Sequence, residues 1–238
     1  MKHLFSKLAV IGAFFTAAAL SATSCSCNPN HQDENKDCTD STSIVTNMHK
    51  TVIEEPVFDI ITNKGTIRVK LYSKTPLHRE NFRKLVAEHF YDSILFHRVI
   101  DGFMIQAGDP YTKDTSKVEL YGQGGPGYTV PAEFVNEYYH KKGALAAARR
   151  GDMANPKKAS SGSQFYIVQD ENACLHLDGQ YTIFGETVDG FDVIDRIAKV
   201  PVDRMDRPLE DVRIITIKEV LPEPEAEVKQ AEDTVKVQ

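Results

Sequence analysis

From Val57 onward, short runs of hydrophobic residues are separated by turn residues. Residues 58–62 and 66–72 are two such runs, and a turn that contains Gly65 lies between them. In the second run every other residue is apolar, so its apolar side chains share one face, as in a half-buried strand. The pattern predicts a β-hairpin at the start of the folded region.

Two segments follow the helical spacing of three to four residues instead. The first begins at Thr75-Pro76, because threonine is a favoured N-cap and proline a favoured first helical residue. Its spacing runs through Phe82 and Leu85 to about residue 90. A second, shorter helix is predicted at 191–200.

The remaining regular segments resemble strands. The segment from Leu95 to Pro110 is predicted to form strand, turn and strand, with the turn at Asp101-Gly102. Further strands are predicted at 144–148, 163–169, 181–188 and 212–220. Many short strands with only two helices indicate a mainly β barrel or sandwich rather than a parallel βαβ fold.

The first 24 residues have the three parts of a signal peptide. Lys2 and Lys7 form a basic start, residues 8–20 an apolar run too short to span a membrane permanently, and small residues precede Cys25. The cut site resembles a bacterial lipobox. We therefore predict a signal peptide at 1–24 and lipidation of Cys25, with plain secretion as the alternative.

Polar segments flank the folded region on both sides. Residues 25–54 are rich in Asn, Asp, Ser, Thr and Lys, and residues 222–238 are polar and acidic. Such segments bury too little apolar surface to offset the entropy of an ordered chain. The sequence predicts a flexible tether at 25–54, a folded domain at 55–221 and a disordered tail at 222–238.

The net charge of −6 argues against nucleic acid as a partner, because phosphate binding needs clustered lysines and arginines. The eight histidines and four cysteines show no HExxH, HxxxH or CxxC pattern, so we expect no metal and no cofactor. In the tether, Cys27 and Cys38 are free to form a disulfide but need not. Cys174 stands alone and is predicted to be inert.

Gly122, Gly124 and Gly127 satisfy the GxGxxG pattern of a dinucleotide-binding loop. That loop requires a helix N-terminus to hold the pyrophosphate, between a strand and a helix. No such transition frames these glycines, and Pro126 interrupts them. The pattern predicts a glycine-rich loop without a cofactor.

Two polar residues, Arg98 and Gln106, lie inside the apolar strands around Asp101-Gly102. A purely structural sheet would favour valine or isoleucine at these positions. Burial of a guanidinium group costs several kcal/mol unless something compensates it. These two residues therefore need an explanation other than packing.

Three segments occur in a specific order and spacing. They are FHRVIDGFMIQAGD at 96–109, SSGSQFYIV at 160–168 and LDGQYTIFGETVDGFDVIDRI at 177–197. Together they resemble the cyclophilin family of peptidyl-prolyl cis/trans isomerases, over about residues 57–220. The resemblance implies a closed eight-stranded antiparallel β-barrel capped by two α-helices, which agrees with the mainly β pattern.

The activity that this resemblance implies would explain Arg98. Isomerisation of an X–Pro bond crosses a barrier of ~20 kcal/mol, because twisting removes the amide resonance. The twisted prolyl nitrogen regains its lone pair, so a donor aimed at it stabilises the transition state selectively. We expect Arg98 to be that donor and Gln106 to hold the substrate backbone. No nucleophile, metal or proton transfer is needed.

The resemblance also assigns the substrate groove. Its expected lining of the proline pocket is Phe103, Met104, Tyr166 and Leu177, whereas Phe165 alternates with Tyr166 and is expected in the core. The other predicted substrate-binding residues are Ala148, Arg149, Gln164, His176 and Tyr181. Gln164 is expected to hydrogen-bond nearby backbone.

Three of these residues depart from the family pattern. Arg149 stands where asparagine is usual, but contact there is expected through the main chain. His176 replaces a tryptophan, and Tyr181 replaces a histidine that borders the proline pocket. Residues 151–159 resemble an insertion, which we interpret as a longer loop rather than a contact for substrate flanks.

The predicted function is an envelope-tethered, monomeric isomerase that acts on proline-containing segments of exported client proteins. Ser26, rather than aspartate, follows Cys25, which favours the outer membrane over the inner one. The alternative is a holdase or adaptor that uses the same groove for binding alone. Recruitment of a fixed partner by the tether and tail is a third hypothesis.

Overall fold

Residues 54–221 are the part of the chain that the computed structural model describes. The predicted signal peptide, Cys25, the tether as far as residue 53 and the tail at 222–238 lie outside that part. The predictions made for them remain predictions.

Ten strands and two α-helices form the regular structure of this part. The strands are β1 (Val57–Thr62), β2 (Gly65–Leu71), β3 (Arg98–Ile100), β4 (Met104–Ala107), β5 (Thr129–Val130), β6 (Ala144–Ala147), β7 (Ser160–Ser161), β8 (Phe165–Val168), β9 (Ile183–Asp189) and β10 (Ile214–Val220). The helices are α1 (Pro76–Ala87) and α2 (Phe191–Ala198). Short 3₁₀ turns occupy Pro110–Lys113, Thr115–Leu120 and Leu175–Leu177. The predicted strands and both helices are confirmed, with ends that differ by a few residues.

Eight of the strands form one antiparallel sheet in the order β10-β1-β2-β9-β6-β8-β4-β3, and β5 pairs with β7 separately. The predicted closed barrel is not confirmed, because no ladder joins β3 to β10 among residues 54–221. One bridge between Leu95 and Arg213, just before β3 and β10, spans this side. Nearby, the Phe96 amide donates to the Val212 carbonyl at 2.8 Å. The sheet is therefore a curled half-barrel whose outer strands meet irregularly.

The core packs between one face of this sheet and α1. The alternation predicted for the β1–β2 hairpin is present, since Phe58, Ile60 and the apolar residues of β2 are fully buried. Phe82 of α1 lies among them, with ring centroids 5.4 Å from Phe58 and 5.9 Å from Phe165. This aromatic cluster attaches the helix to strands from both halves of the sheet.

The N-terminus of α1 is not capped as the sequence predicted. The hydroxyl of Thr75 makes no cap hydrogen bond, and the carboxylate of Glu133 accepts from the backbone amides of Leu77 and His78, each at 3.0 Å. A carboxylate at this end is also favoured by the helix dipole. The helix stops at Ala87, because His89 adopts a positive φ of 55° that reverses the chain.

No helix within residues 54–221 combines the length and apolar character needed to cross a membrane.

Phe82→Ala should destabilise the protein by about 3–5 kcal/mol, because it removes a buried ring and leaves a cavity between helix and sheet. Urea unfolding followed by circular dichroism measures this change. Leu77→Ala on the same helix is the control; its side chain is half exposed, and we expect a change within about 0.5 kcal/mol. Equal losses for both variants would contradict the placement of Phe82 at the centre of the core.

Candidate active site

The β3–β4 hairpin brings Arg98 and Gln106 together. The two residues are directly opposed in the antiparallel register, so their side chains project from the same face of the sheet. Gly102 in the turn has a φ of 77°, which suits glycine, and its amide donates to the Gln169 side chain at 2.8 Å. The turn therefore fixes the register that pairs the two polar residues.

The guanidinium of Arg98 is accessible. Its side chain is 43% exposed, and its ion-pair partner within residues 54–221 is Asp206, with 3.8 Å between Nε and Oδ2. An exposed pair at this distance contributes little to stability. Arg98 therefore does not carry the burial cost that its place in an apolar strand suggested, and its Nη groups are open to a ligand.

Gln106 belongs to a hydrogen-bonded row that reaches the glycine-rich loop. Its Nε2 donates to Oε1 of Gln164 at 3.0 Å, and Nε2 of Gln164 donates to the carbonyls of Gly122 and Gly124 at 3.0 and 2.8 Å. The predicted contact of Gln164 with backbone is thus present. The carboxylate of buried Asp109 accepts from the amides of the same two glycines. As predicted, the GxGxxG segment is a loop, and the side chains of Asp109 and Gln164 hold it in place.

Apolar residues next to this row form a second cluster, separate from the main core. Buried Met104 and Tyr166 pack there with the half-buried side chains of Phe103, Leu177 and Tyr181. The rings of Tyr166 and Tyr181 meet edge to face, with centroids 6.0 Å apart. The structure therefore unites the residues predicted to line a proline pocket. Phe165 packs in the main core, as expected.

The side chain of Arg149 has a structural role that the sequence did not reveal. It is only 5% exposed, and its guanidinium carbon lies 4.4 Å from the centre of the Tyr181 ring. Its Nε donates to the Gln180 carbonyl at 2.9 Å, and Nη1 pairs with Asp152 at 2.5 Å. The arginine supports one wall of the apolar cluster. In the sequence, the one sign of this role was that Arg149 stands where the family pattern usually has asparagine.

The predicted substrate edge at Ala148 and Arg149 is only partly available. The amide of Ala148 donates to Gln164 at 3.0 Å and its carbonyl accepts from Ser161 at 2.8 Å. Within the described chain, the amide and carbonyl of Arg149 have no such partner. Arg149 is thus the residue at this edge that retains free main-chain groups.

His176 lies at the outer rim of the cluster. It is exposed, and its ring stacks on Phe103 with a centroid distance of 6.4 Å. An imidazole at this position covers less apolar surface than the indole that the family pattern would place there.

A cavity of about 1010 Å³ continues from Gln106 along the glycine-rich loop. Ala154, Asn155 and Ala159 line its far side, so the apparent insertion at 151–159 is a loop that also borders the groove. In residues 54–221 no cluster of three or more His, Cys, Asp or Glu side chains is arranged to hold a metal ion. Buried Cys174 lies beside the apolar cluster, and burial raises the pKa of its thiol to about 11.

Comparison with known proteins identifies relatives of this chain. Residues 57–219 match the family profile described as cyclophilin type peptidyl-prolyl cis-trans isomerase/CLD. The peptidyl-prolyl cis-trans isomerase-like 2 of Rhizopus delemar is 37% identical over 174 residues, which cover 70% of this chain and 29% of that protein. The isomerase-like 3 of Gallus gallus is 35% identical over 156 residues, which cover 64% of this chain and 89% of that protein.

Solved structures show the same relationship. A crystal structure of a Cryptosporidium parvum cyclophilin-type isomerase has a TM-score of 0.63 and 31% identity, and covers 71% of this chain and 99% of its own. A second crystal structure of that protein, in the presence of the dipeptide Ala-Pro, has a TM-score of 0.61 and 30% identity. The chain belongs to the family of cyclophilin-type peptidyl-prolyl cis-trans isomerases.

The buried ring of His97, adjacent to Arg98, is expected to make the stability of the folded protein depend on pH. Neither of its nitrogens has a hydrogen-bond partner within residues 54–221. Burial lowers the pKa of His97 to about 4, and the positive charges of Arg98 and Arg207 act in the same direction, against the opposite effect of Asp109. His97 is therefore neutral in the folded protein at pH 7.

The free energy of unfolding should fall as the pH drops from about 6.5 to about 4, because the unfolded chain then protonates His97 and the folded one does not. His97 should contribute about 3 kcal/mol to this loss. His97→Gln removes that share, and urea unfolding across this pH range measures it. The control, His176→Gln, replaces an exposed histidine that has no ion pair within residues 54–221. An unchanged pH slope in His97→Gln would contradict the prediction.

Proposed function

We propose that the protein catalyses cis/trans isomerisation of X–Pro peptide bonds. The proline ring enters the apolar cluster around Met104 and Tyr166, and the guanidinium of Arg98 donates to the prolyl nitrogen as the bond twists. A permanently charged, planar set of donors is suited to this role because it needs no proton transfer. The interaction exists only in the twisted state, so it lowers the barrier rather than the ground state.

The observation that carries this proposal is the pairing of Arg98 with Gln106 at the edge of the apolar cluster. Gln106 is held by Gln164, so its amide is oriented before a substrate arrives. Such preorganised donors account for much of the rate enhancement in many enzymes. The Cryptosporidium structure determined with Ala-Pro supports a proline-containing peptide as the substrate class.

We also propose a cellular setting from the N-terminal sequence. Cleavage after residue 24 and lipidation of Cys25 would tether the enzyme to a bacterial membrane, most simply the outer one. A tether that ends before residue 55 would let the isomerase reach proline-containing segments of exported proteins as they fold. The proposed enzyme works as a monomer and without a cofactor or nucleic acid.

Arg98→Ala should reduce the rate of exchange by roughly a hundredfold, because one preorganised donor contributes about 3 kcal/mol to the transition state. Exchange of an Ala-Pro peptide, measured by NMR on the full chain, gives this rate, and a titration in the same samples gives peptide affinity. The control is Arg204→Ala, an exposed arginine with no ion pair within residues 54–221. We expect affinity to persist in both variants.

If the parent protein binds the peptide but does not accelerate exchange, the groove is a binding site and the holdase hypothesis replaces the enzyme. If Arg98→Ala keeps the parent rate, the activity stands and the assigned donor is wrong.

Cys25→Ser should abolish lipid attachment and release the protein into the soluble fraction, because a thioether-linked lipid requires the cysteine sulfur. Metabolic labelling with a fatty acid, followed by fractionation of expressing bacteria, measures both effects. Cys27→Ser is the matched control, since it changes a neighbouring cysteine and should remain labelled. Labelling that persists in Cys25→Ser would refute the proposed anchor.

A further inference from the structure

A buried hydrogen-bonded chain lies behind the apolar cluster and was not evident from the sequence. Nδ1 of His140 lies 2.6 Å from Oδ1 of Asp178, and Nε2 lies 2.8 Å from the hydroxyl of Tyr166. The backbone amide of His140 also donates to Oδ1 of Asp178 at 2.8 Å. The imidazole is completely buried, and its ring is nearly parallel to that of Tyr166, at 6°.

Burial fixes the direction of these hydrogen bonds. It lowers the pKa of His140 from the usual value of 6.5, although Asp178 acts in the opposite direction, so the imidazole is neutral at pH 7. Burial also raises the pKa of Tyr166 well above 10, so its hydroxyl keeps its proton. The hydroxyl of Tyr166 therefore donates to Nε2, and Nδ1–H donates to Asp178.

This series of hydrogen bonds connects three separate parts of the candidate pocket. Tyr166 lies in the middle of β8, opposite Gln106 of β4. Asp178 directly follows Leu177 of the rim, and His140 precedes β6. A phenylalanine would fill the same apolar space with no need for a partner, whereas a buried hydroxyl must be hydrogen-bonded. The hydrogen bonds through His140 therefore fix the orientation of the Tyr166 ring, which packing alone would not do.

We propose that His140 is a positioning residue for catalysis: by holding the hydroxyl of Tyr166 from behind, it fixes the ring against which the substrate proline packs. Asp178 holds His140 in the tautomer that can accept from Tyr166. This inference rests on the proposed isomerase activity, because it assigns a role within the same pocket.

The proposal predicts an acid limb in the pH profile of kcat/KM. Protonated His140 carries hydrogen on both nitrogens and no longer accepts from Tyr166, so the Tyr166 ring loses its anchor as the pH falls to the pKa of His140, which burial lowers from the usual value. Arg98 stays charged and Gln106 does not titrate, so the proposed chemistry adds no acid limb of its own. The profile should otherwise be flat.

Other titratable and charged groups surround this chain. Those facing His140 or Tyr166 are Asp178, His176, Cys174, Tyr181 and Arg149. Among them His176 is the other imidazole. Because His176 is exposed and stacks on Phe103, it is the group whose effect must be separated by a control.

The experiment compares three variants of the full chain by NMR exchange of an Ala-Pro peptide between pH 5 and 8. His140→Leu removes the acceptor and should raise KM about threefold to tenfold at pH 7, with kcat nearly unchanged, because the pocket binds ground and transition states alike. His140→Gln keeps a neutral acceptor, so it should restore KM and abolish the acid limb. His176→Gln should retain the limb.

A parent-like KM in His140→Leu, or an acid limb that persists in His140→Gln, would overturn the proposal. If His140→Leu does not fold by circular dichroism, the comparison of His140→Gln with the parent still decides. If the parent has no isomerase activity, the proposed function fails, and the pH dependence of peptide affinity in the same proteins tests the role of His140 separately. A flat affinity profile in the parent would then reject it.

Discussion

The antiparallel pairing of β4 with β3 on one side and with β8 on the other is the constraint on which the site depends. It opposes Arg98 to Gln106, and Gln106 to Tyr166. Because side chains alternate along a strand, a shift of one residue in either register would exchange core and groove residues. The same alternation separates Phe165, in the core, from Tyr166, in the apolar cluster.

The site combines an exposed charge with hydrogen-bonded neighbours. The guanidinium of Arg98 is exposed and held only by a weak pair with Asp206, whereas Gln106 and Tyr166 are anchored through their far sides. In the proposed function, substrate positioning would depend on these two groups, whose side chains are held by hydrogen bonds. For the proposed reaction this division is adequate, because the arginine must form its decisive bond only in the twisted state.

Local patterns predicted the elements of the fold, and contacts between distant segments decided their ends and caps. Helix α1 was predictable from its spacing, but Glu133, far along the chain, caps it instead of Thr75. The barrel predicted from the family resemblance is instead an open, curled sheet. Within residues 54–221 no ladder joins its outer strands β3 and β10, and a single bridge between Leu95 and Arg213 spans that side. Such long-range contacts produce no hydrophobic periodicity in the sequence from which they could be predicted.

The sequence by itself determined the mainly β class, the hairpin around Gly102 and the polar pair Arg98 and Gln106, because turn chemistry and misplaced polar residues are local signals. Its ordered motifs also indicated the family. Only the tertiary structure decided that Arg149 supports Tyr181 and that His140 lies behind Tyr166. Both contacts join residues far apart in the chain. In the sequence alone, a single histidine or arginine cannot be distinguished from an ordinary surface residue.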